Sequence, residues 1–177
     1  MKLCILDRDG VINEDSDKFI KSPEEWVAIP GSLEAIARLN HAGYMVILAT
    51  NQSGVGRGLF EVSMLNAIHE RMNRALAQIG GRIDAILFCP HALDANCACR
   101  KPRPGLLEEI ARRFSVDLKG VPSVGDSLRD LQASAAVGAL PILVLTGKGE
   151  ATRSAGELPE GTLIYPDLAA AVRAIVK

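Results

Sequence analysis

The sequence predicts a doubly wound α/β fold on a Rossmann-like parallel sheet, and three observations predict it. Short apolar, β-rich runs recur along the chain, segments of helical period separate them, and three of the runs stop at a chemically useful residue, Asp7, Thr50 or Asp126. Strands that alternate with helices imply crossover connections and a parallel sheet covered on both faces. In chain order, the first strand is "KLCIL" at Lys2–Leu6. A helix is predicted at Gly31–Ala42, ending beside His41 and Gly43, residues that suit a helix C-terminus. "YMVILAT" at Tyr44–Thr50 is the second strand, followed by an amphipathic helix at Glu61–Ile79, on which His69, Glu70, Arg71 and Arg74 are expected on the solvated face. "AILFC" at Ala85–Cys89 leads to a helix that begins at Pro104 and runs to Phe114. "VPSVG" at Val121–Gly125 is followed by a helix at Leu128–Val137, "LPILVL" at Leu140–Leu145 stands alone, and "TLIYP" at Thr162–Pro166 precedes a last helix at Leu168–Val176. Gly10–Pro30 and Pro90–Arg103 lack periodicity and are expected to be loops at the sheet edge that carries the chemistry, with Trp26 as a packing anchor.

The chain has 177 residues, enough for one domain with a substantial core, and residues 1–177 are expected to form that one domain. A net charge of -1 supplies no broad field for nucleic acid or a membrane surface, so a charged ligand has to be held by local geometry. No apolar run approaches the roughly 18 residues of a membrane helix, and "MKLCILDRDG" becomes charged too early for a signal peptide. A cytoplasmic monomer acting on a small molecule is the expectation, with no nucleic-acid or membrane partner. Of four cysteines, Cys4 lies in the first strand while Cys89, Cys97 and Cys99 crowd together, a pattern that suits a metal better than a disulfide framework.

In an open α/β sheet, ligands bind beyond the carboxyl ends of the strands where the strand order reverses, which would gather Asp7, Thr50 and Asp126 in one crevice. Asp7 and Asp9 in "DRDG" read in two ways. They open a turn before Gly10, or they bind a hard cation such as Mg²⁺ and divide the work of nucleophile and proton carrier at phosphorus. "ATNQSG" offers a hydroxyl, an amide and glycine-rich backbone to phosphate oxygens, "CRKPRPG" offers Arg100 and Lys101, and "VGDSLRD" places Asp126 after a strand and Asp130 one helical turn later. Asp130 reads equally as a carboxylate favoured by a helix N-terminus. Arg57, in "GVGRG", could pair with a second phosphate.

Taken in order, "DRDG", "TNQSG", "RKPRPG" and "GDSLRD" resemble the four motifs of the haloacid dehalogenase-like (HAD) superfamily of phosphotransferases, from Lys2 to about Leu145. The resemblance implies that Asp7 forms an aspartyl-phosphate and that Asp9 protonates the leaving oxygen, then activates water. It further implies that Thr50 and Asn51 hold the phosphoryl group, that Lys101 neutralises it, and that Asp7, the Asp9 main-chain carbonyl and Asp126 surround Mg²⁺.

A second set, Cys89, His91, Cys97 and Cys99, has the spacing C-x-H and C-x-C and suits a closed, structural tetrahedral Zn²⁺ site; the alternative is a buried strand-end cysteine beside a decorated loop. A metal there would stiffen the loop that carries Arg100 and Lys101. Together with the "NED" at Asn13–Asp15, the zinc loop resembles the D-glycero-D-manno-heptose 1,7-bisphosphate 7-phosphatases, a capless family related to the histidinol phosphatases. That resemblance implies removal of the C7 phosphate, the β anomer favoured, in making the ADP-heptose of lipopolysaccharide core. It implies substrate contacts from Asp15, Ser16, Asp17, Lys18, Thr50, Asn51, Gln52, Ser53, Gly54, Arg57, Arg100 and Lys101. Ser127 follows Asp126 where some relatives have lysine. Two other readings stay open at this stage: a phosphatase for histidinol phosphate or another small sugar phosphate, and a non-enzymatic zinc-binding interaction module.

Overall fold

Six parallel strands form one sheet in the computed structural model, which describes Met1–Lys177. They are β1 (Lys2–Leu6), β2 (Tyr44–Asn51), β3 (Ala85–Cys89), β4 (Pro122–Gly125), β5 (Leu140–Val144) and β6 (Leu163–Tyr165), in the order β3-β2-β1-β4-β5-β6. Seven helices accompany them: α1 (Ser32–His41), α2 (Ser53–Gly56), α3 (Val62–Gln78), α4 (Gly105–Phe114), α5 (Leu128–Ala136), α6 (Gly149–Ala155) and α7 (Leu168–Ile175). The chain builds outward from β1 to β3, then returns to β1's other side to start again at β4. The order therefore reverses between β1 and β4, and a crevice opens beyond their carboxyl ends.

Alternation along β1 shows why the sheet is covered twice. Cys4 and Leu6 point into a layer made by Ile36 and Leu39 of α1, Ile68 and Met72 of α3 and Val172 of α7. Leu3 and Ile5 point into the opposite layer, with Leu106 and Ile110 of α4 and Ala133 of α5. Side chains of successive strand residues project to opposite faces, so a strand buried on both sides must be apolar throughout, as "CIL" is. Each fully buried Leu or Ile contributes roughly 1.5–3 kcal/mol, and the two layers clamp β1 at the centre of the sheet.

The predicted strands and helices are all present, with no end displaced by more than one residue. Two short helices were not anticipated. In α6 only Gly149 is buried, so no apolar period marks it, and α2 occupies the glycine-rich turn after β2. The Gly10–Pro30 segment is irregular but far from loose, because Val11, Ile12, Ile20 and Trp26 insert into the core and bridges link Asn13 to Asp9 and Ala28. Trp26 is 3% exposed and packs as expected.

His69 requires a correction. It was expected on the solvated face of its helix, yet it is only 6% exposed. It follows Leu65 by four residues and precedes Met72 by three, which is the spacing of the buried stripe of α3. The charged neighbours Glu70 and Arg74 pair with one another on the outer face.

Candidate active site

β1 delivers Asp7 to the crevice, and the Asp7 N–H donates to the Val124 carbonyl at 2.9 Å, so the carboxylate leaves the sheet at the β1–β4 junction. A tight turn follows. Gly10 has φ +83°, its N–H donates to the Asn13 carbonyl at 2.8 Å, and the turn folds Asp9 back toward the sheet. Asp9 Oδ1 accepts from Arg8 Nε at 2.9 Å and Asn13 Nδ2 at 3.0 Å and lies 2.8 Å from Arg8 Nη2, while Oδ2 accepts from Gln52 Nε2 at 3.3 Å. Burial raises the Asp9 carboxyl, but Arg8 and these hydrogen bonds outweigh it and hold the group below its usual range.

Asp126 enters from the end of β4. Its Oδ1 accepts from Ser127 Oγ at 3.0 Å and its Oδ2 from the Lys148 N–H at 2.8 Å. Gly10 and Gly147 press against it from the neighbouring loops. A Cβ built on either would lie 2.0 Å and 2.3 Å from Asp126 Oδ2, so both loops depend on glycine. Asp130, in the first turn of α5, accepts the Asp126 and Ser127 N–H groups on Oδ2 at 3.2 and 3.1 Å, the acidic half of a capping box.

Lys101 is 3% exposed; its Nζ donates to Asp7 Oδ1 at 3.1 Å and to the Ala49 carbonyl at 2.7 Å and forms an ion pair with Asp130 Oδ1 at 2.8 Å. Burial opposes its charge, but Asp130 and Asp7 outweigh that and raise its affinity for the proton. The carboxylates are crowded in turn. Burial and the Asp130 charge push Asp7 up to about 6, and burial with the Asp7 and Asp130 charges pushes Asp126 up to about 7. Carboxylate oxygens of Asp7, Asp126 and Asp130 all lie within 4.8 Å of one another. An all-oxygen donor set that resists ionising fully without a counter-charge fits a hard divalent cation such as Mg²⁺. The Asp9 carboxylate lies outside that cluster, turned to Arg8 and Gln52.

The second cluster also fits its metal. Cys89 Sγ is 3.0 Å from Cys99 Sγ, 3.6 Å from Cys97 Sγ and 3.4 Å from His91 Nδ1, and His91 Nδ1 is 3.3 Å from Cys99 Sγ. A tetrahedron of Zn–S and Zn–N bonds of about 2.0–2.3 Å has edges of roughly 3.3–3.8 Å, and these four atoms approximate such a cage. Arg103 clasps the loop by donating to the Cys97 carbonyl at 2.5 Å and Asn96 Oδ1 at 2.6 Å. Lys101 has its own fastening: Asn51 Nδ2 donates to the Lys101 carbonyl and Asn51 Oδ1 accepts the Lys101 N–H, both at 3.0 Å.

A cleft of about 210 Å³ opens over Asp7, and only one of its 16 lining residues is apolar, which suits a phosphorylated sugar and excludes a greasy ligand. Asp15, Ser16 and Asp17 line it from the first loop, Asn51, Gln52, Ser53 and Arg57 from the second, and Arg100 with Lys101 from the zinc loop. Three expected contacts sit elsewhere. Thr50 is 1% exposed, its hydroxyl donating to the Asn51 carbonyl and accepting from Gln52; the Cβ position of Gly54 faces Phe60; and Lys18 is an exposed turn residue. Four lining residues were not among the predicted site residues: Phe19, Arg129, Asp130 and Lys148. Phe19, at φ +66°, lies 5.7 Å beneath the Arg57 guanidinium. Arg129 stands two residues past Ser127. Lys148 lies four residues past the end of β5 and reaches Asp15 at 3.3 Å across the cleft.

Comparison with known proteins agrees with this geometry. A family model described as polynucleotide kinase 3 phosphatase matches residues 2–131, and one described as HAD-hydrolase-like matches residues 98–171. D-glycero-β-D-manno-heptose-1,7-bisphosphate 7-phosphatase of Bordetella bronchiseptica is 62% identical over 177 residues, 100% of this chain and 99% of that protein. The enzyme of the same name from Pseudomonas putida is 54% identical over 176 residues, 99% of this chain and 100% of that one. Among solved structures, the B. bronchiseptica D,D-heptose 1,7-bisphosphate phosphatase complexed with magnesium and phosphate superposes with a TM-score of 0.98 at 63% identity, covering 99% of this chain and 98% of that one. The Burkholderia thailandensis enzyme gives 0.81 at 55%, covering 100% and 99%. With full-length likeness at this level and the four motifs gathered at one sheet edge, the chain belongs to the D-glycero-β-D-manno-heptose-1,7-bisphosphate 7-phosphatase family of HAD-like phosphatases.

Proposed function

We propose that this chain hydrolyses the C7 phosphate of D-glycero-β-D-manno-heptose 1,7-bisphosphate, as its relatives' names state for them, in the making of ADP-heptose for lipopolysaccharide core. The observation that carries the chemistry is Asp7 at the β1–β4 reversal, 3.1 Å from the Lys101 ammonium and within 4.8 Å of Asp126 and Asp130. A carboxylate held beside a cation, at the floor of a polar cleft, is an in-line nucleophile for phosphorus. Asp7 attacks and the P–O bond to C7 breaks; Asp9, ionised in the free site by Arg8 and its hydrogen bonds, takes up a proton as the anionic ester enters and gives it to the departing oxygen. Asp9, now ionised, takes a proton from water, whose oxygen attacks the aspartyl-phosphate and frees Asp7 and inorganic phosphate. Lys101 neutralises charge on the transferring group throughout. Asp7, Asp126 and the Asp9 main-chain carbonyl would hold Mg²⁺, which supplies charge neutralisation that lets an anionic nucleophile approach an anionic ester. Cys89, His91, Cys97 and Cys99 would hold Zn²⁺ in a structural role.

A bisphosphate needs a second anion site. Arg57, Arg100 and Arg129 line the cleft, and none lies within ion-pair distance of a carboxylate, so their charges stand available to a phosphate on C1. Activity as a monomer of one domain, residues 1–177, on a small cytoplasmic metabolite belongs to the same proposal.

The test is phosphate release with Mg²⁺, comparing both anomers of heptose 1,7-bisphosphate with histidinol phosphate and fructose 1,6-bisphosphate. The β anomer is expected to lead in kcat/KM by about tenfold or more, and Asp7→Asn to lower turnover by about a thousandfold or more while leaving the fold intact. Equal rates on all substrates would remove the heptose assignment, and an active Asp7→Asn would remove the mechanism.

A further inference from the structure

We propose that His69, on α3, is a positioning residue for Asp9 and acts through the buried guanidinium of Arg8. The proposal rests on the reading of Asp9 as the proton carrier.

Arg8 is 0% exposed, so each of its N–H groups needs an acceptor inside the protein. Nε and Nη2 serve Asp9 Oδ1 at 2.9 and 2.8 Å, Nη2 also reaches Gln52 Oε1 at 3.4 Å, and Nη1 donates to His69 Nε2 at 3.1 Å. A guanidinium has no lone pair to offer. His69 Nε2 must therefore be the acceptor, which makes the imidazole neutral with its proton on Nδ1. Burial and the facing Arg8 charge drive the His69 pKa down to about 3, in keeping with that state.

The same contacts orient Gln52. With Oε1 turned to Arg8, Nε2 faces Asp9 Oδ2 at 3.3 Å and Thr50 Oγ1 at 2.9 Å. The two oxygens of Asp9 are thereby made unequal. Oδ1 is saturated by the Arg8 fork and Asn13, whereas Oδ2 has one long contact and is the oxygen left to carry a proton to the cleft. Rotation of the carboxylate would exchange them. The fork resists that rotation only if Arg8 is itself held, and His69 holds its far end from an adjoining helix, without touching the cleft.

The experiment compares His69→Leu, which removes the acceptor, with His69→Gln, whose Oε1 can stand near Nε2. Each is assayed on the heptose bisphosphate, an alkyl ester whose leaving oxygen needs a proton, and on p-nitrophenyl phosphate, whose phenolate leaves without one. The expected result for His69→Leu is a fall of about tenfold or more in kcat/KM for the alkyl ester and less than about threefold for the nitrophenyl ester, with His69→Gln close to the parent on both. If Leu does not fold, His69→Asn replaces it, since its shorter amide falls at the Nδ1 position. Equal losses on both esters, or a Gln variant as impaired as Leu, would overturn the proposal and leave His69 a packing residue. Asp9→Asn in the same assay separates the two readings. If it spares the alkyl ester, Asp9 is not the acid and the proposal falls with it; if it shows the leaving-group selectivity and His69→Leu does not, only the role of His69 falls.

Discussion

Single atoms decide whether the cation site can form. At Gly10 the backbone is left-handed and the vacant Cβ position is filled by Asp126 Oδ2 at 2.0 Å, so a methyl group and the carboxylate oxygen cannot share the space. Gly10→Ala is expected to push Asp126 aside and to add about 1 kcal/mol of backbone strain. The measurement is a Mg²⁺ titration of activity: the half-saturating concentration should rise about tenfold or more, while Gly43→Ala, at a similar φ with open space around it, should leave it unchanged. Arg8 and Asp9 make the same lesson visible at a polar site. Both are plain in the sequence as neighbours of Asp7, but that Arg8 turns inward to His69, 61 residues away, is a matter of which face α3 buries.

Elements divide the labour between holding and recognising. The zinc loop carries Arg100 and Lys101 together, and sequence adjacency suggested that one metal would fix both. The structure separates them: Lys101 is bound to Asn51 through its backbone and to Asp7, Asp130 and Ala49 through Nζ, while the Arg100 guanidinium makes a single hydrogen bond, to the His91 carbonyl at 3.5 Å. Loss of Zn²⁺ should therefore loosen recognition before chemistry. Cys97→Ser, or treatment with a zinc-selective chelator with Mg²⁺ kept in excess, is expected to raise KM for the bisphosphate about tenfold and to lower kcat by less than about threefold. A parallel collapse of kcat in a chain that still melts cooperatively would show that Lys101 also depends on the metal.

At the scale of the whole molecule, the parallel sheet converges three acidic side chains on one point and so stores repulsion in the metal-free protein. Asp7 and Asp126, held up to about 6 and about 7, bind protons more tightly folded than unfolded, where an aspartate titrates near 4. Stability from these groups is then present below about pH 4 and is lost as pH rises through about 6 to 7. In EDTA, thermal unfolding should show their contribution declining across that window, and Mg²⁺ at pH 7.5 should raise the melting temperature more than at pH 5. An equal rise at both pH values would contradict the crowding. What the sequence shows of this molecule depends on the range of the interactions. Local periodicity and punctuation sufficed for the strands, the longer helices, the four motifs and the Cys/His quartet, because hydrogen bonding and burial in those elements depend on near neighbours. The sequence by itself also determined that Asp7 and Asp126 end strands. Only the tertiary structure decided that Asp130 serves Lys101 as well as α5, that Thr50 and Asn51 spend their side chains on Gln52 and Lys101, that Arg129 and Lys148 reach the cleft, and that His69 is buried against Arg8. Each of those outcomes turns on which segments the sheet order β3-β2-β1-β4-β5-β6 brings side by side, and contacts across tens of residues leave no periodic trace in the chain.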